Sequence, residues 1–115
     1  MNDLTDKEIL EFSAKSIGVN LWNMTYMDSQ NDLYGDGLTW GPLTDSSDTA
    51  LLMVRLKMLV NVTPEGVSCL AGQVAFKVAT SENPLSDFRR AVTTTAALHY
   101  VSTNPKHSSS VKDDK

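Results

Sequence analysis

Apolar positions recur along this chain at helical and at extended spacings, and Gly, Pro, Asn and Asp mark the switches between them. The densest apolar stretch runs from Thr49 to Val60, where only Thr49, Arg55 and Lys57 are polar. Apolar side chains there cover nearly the whole circumference of a helical period, so a helix with this pattern cannot lie on a surface alone. Asp45, Ser46, Ser47 and Asp48 precede it and offer N-cap oxygens and negative charge to the unpaired N–H groups of its first turn. The pattern predicts that this central helix is the core element. Leu52, Leu56 and Leu59 form one stripe, and Leu51, Val54 and Met58 the adjoining face.

The other elements follow from the same reasoning. Thr5, Asp6, Lys7, Glu8 has the form of a capping box, with Leu4 and Ile9 as its hydrophobic staple. Ile9, Leu10, Phe12, Ala14 and Ile17 share one helical face and Gly18 supplies a left-handed end, which predicts a first helix from Asp6 to Ile17. Val19 to Tyr26 alternates and reads as a strand. Asp28 to Gly37, dense in Asp, Asn, Ser and Gly, reads as an exposed hairpin connection from which Leu38 to Trp40 pairs back before Pro42. Val60 to Thr63, Val67 to Ala71 and Val74 to Ala79 are β-prone runs separated by short turns, as in an antiparallel meander. Asn83 and Pro84 start a third helix with the stripe Leu85, Phe88, Val92, Ala96 and His99, ending near Ser102. The expected order is α, β, β, α, β, β, β, α. It describes an α+β domain in which an antiparallel sheet of four or five strands packs with three helices. Residues 1–103 form the domain, and 104–115, with Val111 as its one aliphatic residue, a flexible polar tail.

Composition narrows the functional classes. At 115 residues, 41% hydrophobic and 21% charged, the chain has the size of one domain with one core. No uninterrupted apolar run is long enough to span a bilayer, and the acidic start is unlike a secretory leader, so a cytoplasmic protein is expected. Cys69 is the single cysteine, which excludes an internal disulfide and a cysteine metal cluster. A net charge of −4 opposes a phosphate-tracking surface.

With these segments laid out, the chain resembles the phage α/β/α-sandwich domain family that includes NinX-like proteins. The resemblance is carried by LTDKEILEFSAKSIGV, by TWGPLTDSSDTALLMVRL, by the Asn83–Pro84 step and by RRAVTTTAALHYVS. Trp40, Pro42, Leu43, Asp45, Asp48, Arg89, Arg90 and Ala91 match the family pattern, while Gly41 and Thr93 to Thr95 depart from it. It implies the sandwich fold and a phage or prophage protein of the host cytoplasm. It implies no catalytic residues.

No phosphate loop, nucleophile elbow or zinc spacing is present. His99 and His107 are far apart, and Asp28, Asp32 and Asp36 do not follow the calcium-loop pattern. The expectation is therefore a protein without catalytic residues, metal or cofactor. The preferred reading is a protein-binding module that engages a host or phage protein, such as a host-defence component. Its recognition surface is the turn-rich loop bearing Leu33, Tyr34 and Asp36. The alternative is a small-ligand or nucleic-acid binder, with Trp22 or Trp40 and the pair Arg89, Arg90 at its site. The apolar excess of Leu51 to Leu59 is covered either by the sheet and the other helices or by a second chain, which leaves a homodimer open.

Overall fold

A computed structural model of the chain describes residues 4–21, 23–35, 37–104 and 112–113. The first helix, α1 (Asp6–Ser16), begins with the expected capping box: the Glu8 N–H donates to Thr5 Oγ1 at 3.1 Å and the Thr5 N–H to Glu8 Oε1 at 2.9 Å. It ends as its sequence predicts. Gly18 adopts φ +79°, and the Gly18 and Val19 N–H groups donate back to the carbonyls of Lys15 and Ala14, closing a Schellman motif.

Three short strands follow, β1 (Thr25–Met27), β2 (Asp32–Gly35) and β3 (Leu38–Trp40), paired antiparallel in sequence order. Two expectations fail here. The strand expected from Val19 is confined to Thr25–Met27, because Asn23 takes φ +64° and the Met24 N–H turns back onto the Leu21 carbonyl, burying Leu21 and Met24. The expected connection Asp28 to Gly37 contains β2. Its turn closes early, at Asn31 with φ +52°, and Leu33 then points into the core. Gly35 permits the close packing that follows, since a Cβ there would run into the Asn23 carbonyl oxygen.

Helix α2 (Ser46–Arg55) is capped by Asp45, whose carboxylate accepts from the Ser47 N–H at 2.8 Å. It leads into a second antiparallel meander, β4 (Leu59–Thr63), β5 (Gly66–Ala71) and β6 (Val74–Ala79), close to the expected runs. Helix α3 (Pro84–Thr103) starts at the Asn83 cap and packs against β5, β6, α2 and α1, while α1 touches β2. A two-residue strand, β7 (Lys112–Asp113), lies parallel to Thr25 and Tyr26 of β1; the rest of the expected flexible tail after Asn104 lies outside the described residues. The α+β class holds, and the single sheet of four or five strands does not: the two antiparallel meanders are separate sheets.

The core is centred on α1 and α3. In α2 only Thr49 and Leu52 are buried, whereas Leu51 is partly open and Val54 is 71% exposed. The apolar run from Ala50 to Val62 is shared between a helix ending at Arg55 and the edge strand β4, with Lys57 at φ +50° between them; the helix buries only Thr49 and Leu52, and no residue of β4 is fully buried. Helix α3 takes the central position despite Thr93, Thr94 and Thr95, all buried. The hydroxyls of Thr93 and Thr95 donate to the carbonyls of Arg89 and Ala91, both at 2.7 Å, which satisfies them inside the helix.

Candidate functional site

The residues nominated from the sequence divide into structural parts and one exposed anchor. Leu33 is fully buried, and it faces Tyr26 across β1 and Trp40 across β3. It is a core residue, contrary to its expected place in an exposed loop. Trp40 is buried as well, and its indole N–H donates to the Leu10 carbonyl at 3.0 Å and lies 3.3 Å from Ser13 Oγ, tying β3 to α1. Its indole is held within the fold by these contacts. Asp36 and Trp22 lie outside the described residues.

The two arginines at the start of α3 reach different elements. Arg90 forms a bidentate ion pair with Asp6, with contacts of 2.9 and 3.0 Å. Asp6 also accepts from Asn31 Nδ2 at 2.8 Å, and the Tyr26 hydroxyl donates to Asn31 Oδ1 at 2.8 Å. One polar chain therefore joins α3, the start of α1, the β1–β2 turn and β1. The Arg90 hydrogen bonds, helped by Asn31, hold the Asp6 carboxyl below its ordinary range against the opposing effect of burial. Arg89 donates from Nε to the Leu43 carbonyl at 3.1 Å and from Nη1 to Ser46 Oγ at 3.3 Å, clamping the entry to α2. Arg90 is ion-paired, whereas the contacts of Arg89 are with the neutral oxygens of Leu43 and Ser46; both arginines clasp elements of the fold together.

Asp45 and Asp48 are used in the turn before α2. Asp48 accepts from the Gly41 N–H at 2.9 Å, and burial raises its carboxyl. Against Gly41 also lies Asp32, which the sequence raised only as a member of the rejected calcium-loop spacing. Asp32, only 7% exposed, packs so closely that a Cβ on Gly41 would stand 2.9 Å from its own Cβ. Its Oδ1 is buried without a hydrogen-bond partner, and burial pushes its carboxyl above the usual range. His99 lies beneath the β5–β6 turn at Gly72, with Nδ1 buried and unpartnered. Cys69 is buried beside the Thr95 hydroxyl, and desolvation pushes its thiol up, away from a reactive thiolate.

Tyr34 is different. It stands on the outer row Thr25, Tyr34, Thr39 of the first sheet and is 51% exposed; Leu38, paired with Gly35, is exposed too but belongs to the opposite face. Among the described residues no three His, Cys, Asp or Glu side chains are placed to hold a metal ion, and no helix is long and apolar enough to cross a membrane. Comparison of the chain with family models, with curated proteins and with solved structures yields no match.

Proposed function

We propose that the protein works by binding another protein in the host cytoplasm, a host or phage protein in the setting that the resemblance implies, and does no chemistry of its own. The observation that carries this reading is Tyr34. Of the nominated residues that are described, it alone is mostly open to solvent. It projects from a strand whose neighbours are fixed by the buried Leu33–Trp40 pair. A rigidly mounted, half-exposed tyrosine has the make-up of a binding hot spot, because it buries a large area at little entropic cost. The small-ligand and nucleic-acid reading is less favoured, since Trp40, Arg89 and Arg90 make internal contacts, while its other aromatic, Trp22, lies outside the described residues.

Affinity capture from host lysate at low and high salt, with nuclease added, tests the proposal. A protein retained at both salt concentrations without nucleic acid is the expected result. Loss of all bound material on nuclease treatment, or retention of no protein at all, would overturn it.

A further inference from the structure

We propose that the outer edge of β1 is a strand-accepting site, held closed by β7, for an extended segment of a partner protein that carries an apolar residue opposite Tyr26. This names a mode of binding for the reading above and rests on that reading for the existence of a partner. The first sheet has the order β3, β2, β1, β7. Its first three strands are consecutive in the chain and paired antiparallel, whereas β7 comes from beyond α3, runs parallel to β1 and has two residues.

The register shows why β7 is a replaceable occupant. Thr25 pairs with Lys112 and Tyr26 with Asp113. Tyr26, Leu33 and Trp40 form the core-side row across β1, β2 and β3, and all three are buried. Residues at paired positions share a face of a sheet, so the position opposite Tyr26 continues this apolar row, and β7 brings an aspartate to it. A charge is costly to bury at such a position, and extreme shortness and charged residues are the means by which natural sheets blunt an edge. With two residues, both charged, β7 has the make-up of a guard.

The other row ties this edge to Tyr34. Thr39, Tyr34 and Thr25 follow one another across the outer face, and the position opposite Thr25 is the next in that row. Strands lie about 4.8 Å apart, which places that position about 10 Å from Tyr34. One partner can therefore take the edge by backbone pairing and Tyr34 by side-chain contact, the division of labour of strand addition. The register also states the chemistry of the segment that fits: apolar opposite the buried Tyr26, and polar opposite Thr25, which is partly exposed.

The probe is a fluorescent peptide of residues 108–115 carrying Asp113→Val, titrated against the full chain. Thr25→Cys with Lys112→Cys supplies a lock, because adjacent strands hold these Cα atoms about 4.8 Å apart, inside the disulfide range. Thr39→Cys with Lys112→Cys spans three strand spacings, about 14 Å, and should not close. The native Cys69 is buried and does not compete. The reduced lock variant should bind the peptide saturably, and the oxidised form about tenfold or more weakly. A peptide of native sequence should also bind about tenfold more weakly, since it buries no apolar side chain beside Tyr26. Asp113→Val in the chain itself should tighten β7 and weaken peptide binding by about threefold or more, which decides the matter if the cysteine variants fail to fold. In affinity capture the oxidised lock should retain about tenfold less partner than the reduced form. The proposal is overturned if no form binds the peptide, if the lock does not close, or if locked and reduced chains bind the peptide or retain the partner equally. A disulfide formed between two chains would assign the edge to β7 of a second copy and overturn it as well. If no form retains a lysate protein, the reading above fails, and the peptide titration still decides whether the edge accepts a strand.

Discussion

Replacing Asp32 by Asn should stabilise the protein at neutral pH, an unusual direction for a change at a buried polar site. The carboxyl is 7% exposed, with Oδ1 unpartnered against the Gly41 turn, and burial raises its pKa above the ordinary 3.8. Between that value in the unfolded chain and the higher value in the native one, the native state binds more protons. Stability therefore falls as pH climbs through this window and stays at the lower level above it. A buried polar group without a partner costs about 1 to 3 kcal/mol, and the amide introduced by Asp32→Asn keeps part of that cost through its own N–H groups. The net gain at pH 7 should be about 1 kcal/mol. Urea titrations of both proteins at pH 7 and near pH 3.5 measure it, with the difference shrinking at the acid end as the native carboxyl takes up its proton. A loss of more than about 1 kcal/mol at pH 7, or a difference that does not change with pH, would show that the carboxylate has a stabilising partner and refute this reasoning.

Other substitutions separate core from surface. Leu10→Ala and Leu52→Ala, at fully buried positions, should each cost about 2 to 5 kcal/mol in denaturant melts, while Val54→Ser, 71% exposed, should stay within about 0.5 kcal/mol. Arg90→Gln should cost about 1 kcal/mol at pH 7, a figure held down because both partners of the ion pair are more than a third exposed. Asp6 has a depressed native pKa, so its contribution is present above about 3.8 and lost as pH falls through the native value. The Arg90→Gln deficit should accordingly shrink below about pH 4, which melting curves across that range will check.

What was legible in the sequence was local. The capping box at Thr5, the left-handed Gly18, the Asn83–Pro84 start and the meander expected from Val60 to Ala79 depend on residues within a few positions of one another, and each stands within a residue of where the pattern predicts. What was illegible depends on who covers whom. The apolar run through Leu51, Val54 and Leu59 has the composition of a core helix, but periodicity reports a face and not its neighbour, and these side chains are open. Conversely, Thr93 to Thr95 read as polar although back-bonding within the helix lets them occupy the centre. Trp40, Arg89 and Arg90 carried the marks of a binding site, but Arg90 is paired with Asp6, 84 positions away, and no spacing rule reaches that far. Asp32 was hidden differently, since it stood within a turn-rich segment where a carboxylate is expected to be solvated.

The measurement that bears most directly on the proposed function sets Tyr34→Ser against Arg90→Gln, each assayed for melting temperature and for partner retention in affinity capture. Tyr34 is half exposed and mounted on a buried strand pair, whereas Arg90 is a clasp between elements. Tyr34→Ser should leave the melting temperature nearly unchanged and weaken retention by about 1 to 3 kcal/mol, or roughly five- to a hundredfold. Arg90→Gln should lower the melting temperature and leave retention by the folded protein intact. The reverse pattern, in which Tyr34→Ser unfolds the domain while retaining the partner, would contradict the account.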